Sequence, residues 1–171
     1  MKMEGKKTFW PYGILISLVL IVFACIVTIL IASKAPVYED NFYFDTYQNV
    51  ELNYNEIQNR QKEFDNNFKL FLNNDNFKSK NNTVYLINDG NDIIKIDIEN
   101  FKDYDLKNLK VEALLTRPHT NKMDQKIEAK LLDSSLVFNL NIKEKGVWQL
   151  LVKITQNDDS VGFFKFYLKT K

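Results

Sequence analysis

The stretch LLTRPHTNKMDQK, residues 114–126, gathers the side chains of this sequence most suited to chemistry. It holds the only histidine, one of the two arginines and one of the three prolines. His119 and Met123 offer an imidazole nitrogen and a thioether four residues apart, a soft pair that suits copper. Two ligands do not close a metal site, and the chain beyond residue 34 holds no second histidine and no methionine-rich stretch. Arg117 brings a planar fork that binds a carboxylate in bidentate fashion, on a partner, or caps backbone carbonyls of its own turn. A triad would need His119 beside a distant serine and aspartate. There is no Gly-x-Ser-x-Gly elbow and no glycine-rich phosphate loop. Asp158 and Asp159 lie in the turn-forming run NDDS, where short polar side chains bond their own backbone. The expectation is a protein that is not an enzyme, with no cofactor and no small-molecule substrate.

Charge and cysteine usage narrow the classes further. The 171 residues carry 23 basic and 22 acidic side chains, a net charge of +1, so no basic field is present to hold a nucleic-acid backbone. The single cysteine, Cys25, excludes an internal disulfide framework. It lies in an apolar run, where a reactive thiolate finds no cation to support it.

The elements that would carry the 114–126 cluster read as strands. IIKIDIE places Ile94, Ile96 and Ile98 on one face, and LKVEALL, KIEAKLL, LVFNLNI, VWQLLVKI and FFKFYLK alternate in the same way. With TVYLI that makes seven short strands, separated by the turn signals Asp89-Gly90, Asp133-Ser134-Ser135, Lys145-Gly146 and Asn157 to Ser160. The pattern predicts a mainly β chain whose bulk is a seven-stranded antiparallel immunoglobulin-like sandwich. Trp148 is its expected core aromatic. Pro118 should stop ladder pairing after Arg117, leaving His119, Met123 and Asp124 on an exposed loop until the next strand starts at Gln125.

Upstream, residues 8–33 contain no charge, and residues 14–32 are long enough to cross about 30 Å of hydrocarbon as one helix. Ile14, Leu18, Ile21, Cys25, Ile29 and Ala32 form the core of that predicted span. Pro11 suits a first helical turn, and Trp10 and Tyr12 suit the headgroup layer. Lys2, Lys6 and Lys7 predict a cytoplasmic N-terminus with the remainder across the membrane, periplasmic in a bacterium. A cleaved, secreted adhesion sandwich is the alternative, with processing near Ala35. Val50, Ile57, Phe64 and Phe71 recur every seven residues, joined by Tyr54 and Phe68, and predict an amphipathic helix over 50–72. Phe42, Tyr43, Phe44 and Tyr47 are expected near the membrane interface. The expected division is a tail at 1–7, the span at 8–33, a linker with its helix at 34–80 and the sandwich at 81–171.

The order of these pieces resembles the FixH (CcoH) family, small membrane-anchored proteins associated with cbb(3)-type cytochrome c oxidase. Trp10-Pro11-Tyr12 is similar to the aromatic Trp-Pro opening of the family's span. Val37, Asp40 and Tyr43 approximate its Val-x-Asp-x-Tyr element, and Tyr54-Asn55 its Tyr-Asn pair. Arg117, Pro118 and Asp124 correspond to its Arg-Pro turn with a later aspartate, and Gly146 and Trp148 to its Gly-x-Trp. The family's Lys-Gly-Leu after the span is missing. The resemblance implies a role in oxidase maturation or stability through contact with its subunits, with Trp10, Pro11, Tyr43, Tyr54, Arg117, Pro118 and Asp124 as candidate contact residues. The rival reading is a periplasmic copper-handling domain using His119 and Met123.

Overall fold

The computed structural model describes residues 9–34, 41–79, 82–102 and 104–171. The chain divides into two compact units, Met1–Val37 and Tyr38–Lys171. Lys2, Lys6, Lys7, Val37 and Asp40, which carried part of the sequence reading, lie outside the described residues.

Among its described residues the first unit holds one helix, α1, Trp10–Lys34. Over its 24 residues Trp10–Ser33, none buried, it is long and apolar enough to cross a bilayer. Its serine and threonine hydroxyls bond backwards onto its own carbonyls: Ser17 to Ile14 at 2.8 Å, Thr28 to Ala24 at 2.8 Å and Ser33 to Leu30 at 3.1 Å. Between Gly13 and Ser33 no hydroxyl is left to seek water. Pro11 falls in the first turn, where its missing N–H costs nothing.

The second unit begins with a short 3₁₀ strap, Asn41–Tyr43, and the helix α2, Tyr47–Asn67. Among the described residues ten strands follow: β1 Phe68–Leu72, β2 Asn76–Ser79, β3 Asn82–Ile87, β4 Gly90–Asn100, β5 Lys110–Arg117, β6 Thr120–Ile127, β7 Ala129–Leu132, β8 Ser135–Ile142, β9 Val147–Asn157 and β10 Ser160–Thr170. They form a four-stranded sheet, β1-β4-β8-β7, and a six-stranded sheet, β2-β3-β10-β9-β5-β6. The first follows the A-B-E-D order of an immunoglobulin sandwich, and β10-β9-β5-β6 follows G-F-C-C′. The fold is therefore immunoglobulin-like and mainly β. Its core lies between the sheets, where Ile94, Ile96, Ile98, Leu136, Phe138 and Leu140 meet Leu115, Trp148, Leu150, Val152 and Ile154. Trp148 is fully buried, as its alternation predicts, and its indole N–H donates to the Glu144 carbonyl at 3.0 Å.

Several expectations need correction. Ten strands replace seven, and the sandwich starts before residue 81, since β1 and β2 belong to its sheets. The predicted helix over 50–72 stops at Asn67, and the chain passes into β1 without a loop. Phe68, Leu70 and Leu72 face inward while β1 pairs with β4, so the ladder captured residues whose heptad spacing looked helical. Phe71, counted in the helical stripe, is 42% exposed. Not every pairing is antiparallel either: β3 runs parallel to β10, from Val84 beside Tyr167 to Ile87 beside Thr170.

KIEAKLL, read as one strand, is two strands in different sheets, β6 paired with β5 and β7 with β8. Ile127, Ala129 and Leu131 all pack against the core, so the alternation runs unbroken through the crossover at Glu128. The expected loop after Arg117 is also much shorter. Pro118 and His119 alone turn the chain, and β6 starts at Thr120, which puts Met123 and Asp124 on a strand.

Candidate functional site

The sandwich positions the singled-out residues in two places. At one end, Arg117 closes β5 with its guanidinium 5.3 Å from the centre of the Trp148 ring. Its Nη1 donates to Glu144 Oε2 at 2.5 Å and to Met123 Sδ at 3.8 Å, and its Nη2 to the Lys145 carbonyl at 3.3 Å. The β5–β6 hairpin is thereby tied to the turn between β8 and β9. Gly146 makes the approach possible. Its φ is +135°, and a Cβ there would sit 2.9 Å from Arg117 Nη2.

The second place is the outer face of the six-stranded sheet. Register puts Leu114, Leu151 and Phe163 on that face, since their neighbours Leu115, Leu150 and Phe164 point to the core. Leu151 is nevertheless only 1% exposed. The strap lies on this side, with Tyr43 edge-on to Phe163 at 5.3 Å and Phe42 6.5 Å from the same ring. Lys165 sits 4.7 Å above Phe42, and Gln58 of α2 donates to the Tyr43 hydroxyl at 3.3 Å. Phe42 and Tyr43, expected at the membrane interface, thus pack on the sandwich's own sheet; Tyr47 is exposed. Phe44 takes a φ of 57°, an uncommon conformation for a bulky side chain, where the strap turns into α2.

Between Asn41 and Phe44 on one side and β5–β6 on the other runs an open groove of about 550 Å³. Its walls include Glu112, Leu114, Asp124 and Lys126. Asp124 accepts a 2.5 Å hydrogen bond from the Thr116 hydroxyl across the β5–β6 hairpin. Glu112 pairs with Lys153 at 3.3 Å. Helix α2 is held by Phe64, fully buried against Phe68 and Phe164, and by Gln61, whose Oε1 accepts from the Phe163 N–H at 2.6 Å. Asp45 accepts from the Thr46 N–H at 2.7 Å and from Asn49 at 3.0 Å, and these bonds, that from Asn49 foremost, hold its carboxyl below the usual range.

The predicted candidates therefore do not converge on one site. Arg117 belongs to the clamp. Pro118 and the exposed His119 form the hairpin tip, and Met123 is half-buried against the core with its sulfur engaged by Arg117. Tyr43 is on the strap and Asp124 on the groove wall, while Tyr54 is half-exposed on α2 and Trp10 and Pro11 are exposed on α1. Among the described residues no cluster of three or more His, Cys, Asp or Glu is placed to hold a metal ion. Sequence reasoning missed Glu144, Thr116, Phe163 and Gln61. Only Glu144 had a local signal, two residues before Gly146 in the turn that leads to Trp148.

A family model, FixH, matches residues 7–164. The chain belongs to the FixH family. No curated protein sequence matches it. Solved structures similar to parts of it include a chimeric titin Z1Z2 functionalized with a KLER exogenous peptide from decorin. That structure is 12% identical, covers 60% of this chain and 93% of its own, and gives a TM-score of 0.34. Another is murine CRIg, at 9% identity, 60% and 97% coverage and a TM-score of 0.31. Within this FixH chain, two elements that carried the resemblance, Arg117-Pro118 and Gly146-x-Trp148, are halves of one clamp. The guanidinium needs the indole face, and the glycine leaves room for the guanidinium.

Proposed function

We propose that this FixH-family protein is a non-catalytic, single-pass membrane protein that supports assembly or stability of a cbb(3)-type cytochrome c oxidase by direct contact with its subunits. The observation that carries this reading is the family match across 7–164, joined to one N-terminal helix apolar on every side. The lysine-rich N-terminus stays cytoplasmic, and the sandwich lies on the periplasmic side of the bacterial inner membrane. Oxidase helices pack against α1, which offers Gly13, Ser17, Ala24, Cys25 and Thr28 for close approach. Trp10 and Pro11 set its depth at the interface. The strap and the groove beside it, with Tyr43, Leu114 and Asp124, present the extramembrane contact. Arg117 and Pro118 contribute by holding the hairpin that carries Asp124 rather than by touching the partner.

Affinity purification of the full chain in mild detergent tests this. Oxidase subunits should co-purify with the wild type and be depleted when residues 14–32 are scrambled at constant composition. Equal recovery with both, or with neither, would sink the proposal. Mass spectrometry of the mature N-terminus separates it from the secreted-adhesin alternative, which requires cleavage near residue 35.

A further inference from the structure

Strand β6 ends the six-stranded sheet, with β5 on one side and, among the described residues, no strand on the other, because the chain crosses to the opposite sheet at Glu128. An exposed edge invites another strand, and natural edges are commonly blunted by lysine. The spacing of charges along β6 does something more specific. Lys126 shares the outer face with Leu114, its cross-strand neighbour, and Asp124 bonds Thr116 on that face, before the β5–β6 register shifts toward the hairpin tip. Neither Asp124 nor Lys126 is in a salt bridge among the described residues.

We propose that β6 is a self-complementary edge through which two copies of the chain pair antiparallel, with Gln125 on the two-fold axis. In that register Asp124 of each copy faces Lys126 of the other. Each dimer then has two opposite-charge cross-strand pairs, and neither residue faces its own kind. On the inner face Met123 meets Ile127 of the second copy, both half-buried and both at the border of the core. The alternatives are poorer. An axis at Asp124 or at Lys126 sets identical charges against each other, and one at Met123 leaves the Asp124–Lys126 pairs unmade. The contact is isologous and closed, so it ends at a dimer rather than a fibre. It joins two six-stranded sheets edge to edge. The inference goes beyond the oxidase reading and does not depend on it.

The test is sedimentation of the full chain in detergent over a concentration series, for wild type, Asp124→Lys, Lys126→Asp and the double exchange. Each single reversal turns both attractive pairs into repulsive ones and should weaken self-association at least about tenfold. The double exchange restores every pairing in the same register and should return to within about threefold of wild type. Because it carries both altered positions, its recovery shows that the single variants fail through charge and not through misfolding. A monomeric wild type, single reversals that associate like wild type, or a double exchange as weak as the singles would each overturn the proposal. Loss of oxidase co-purification without a change in sedimentation would bear on the function reading alone.

Discussion

The two helices of this chain are similar in length, 25 and 21 residues, and opposite in what satisfies them. Helix α1 is apolar around its whole circumference and none of its span is buried against protein. Its serine and threonine hydroxyls turn back on its own backbone. Helix α2 is polar on most of its surface and buries one narrow line, Ile57 and Phe64, beside strand β10 and the start of β1. A helix that is hydrophobic on all sides needs an apolar solvent, whereas a striped one needs a single neighbour. Helix α1 therefore suits a bilayer, whereas α2 owes its stability to the sandwich.

That contrast can be broken or sharpened by mutation. The largest expected effect is on α2: Phe64→Ala should destabilise the sandwich by about 3–5 kcal/mol, because the ring is fully enclosed. Tyr54→Ala, half-exposed on the same helix, should stay within about 0.5 kcal/mol in the same urea-unfolding series. Similar values for the two would mean that α2 is not docked through its stripe. On α1, Ile21→Lys should raise the cost of insertion by about 2.5–3.5 kcal/mol and shift the protein from the membrane fraction, leaving sandwich unfolding unchanged. A coupled change in both readouts would erase the distinction between the helices.

A smaller effect probes the contact itself. A Cβ on Gly162 would fall 2.5 Å from the Phe64 ring and 2.6 Å from Phe164, so Gly162→Ala should cost about 1–3 kcal/mol. In a Phe64→Leu background the extra cost should shrink, and a strictly additive double mutant would show that the two do not share that space. The smallest effect concerns Asp45 before α2. Its carboxyl titrates below the ordinary value, so the stability it adds is present at neutral pH and is lost as pH falls through its lowered folded value. Asp45→Asn should flatten the acid limb of the unfolding profile slightly, and a steeper limb would reverse the sign of its role.

How much of this was legible beforehand differs by element. Strands β4, β5, β8, β9 and β10 announced themselves by alternation, as did the burial of Trp148, because a half-buried strand must alternate. The end of α2 was not legible. Phe64, Phe68 and Phe71 fit a helical spacing, and Phe68, Leu70 and Leu72 equally fit a strand; only the pairing with β4 selects the second. The break between β6 and β7 was hidden for a related reason, since inward residues keep alternating while the chain changes sheets. At the candidate site, Arg117 was visible as a fork without a partner. Its partner Glu144 lies 27 residues away and is reached only because two turns meet at one end of the sandwich.

Charge-free length and inward alternation are local properties of the chain, and they alone determined that one segment suits a bilayer and that the rest folds as a β-sandwich. Which strand neighbours which, where the strap lies, and what Arg117 and Asp124 touch were decided by the tertiary structure. Side-chain alternation specifies the face a residue must bury but not the strand beside it, and neighbours far apart in sequence are chosen by how the two sheets pack as a whole.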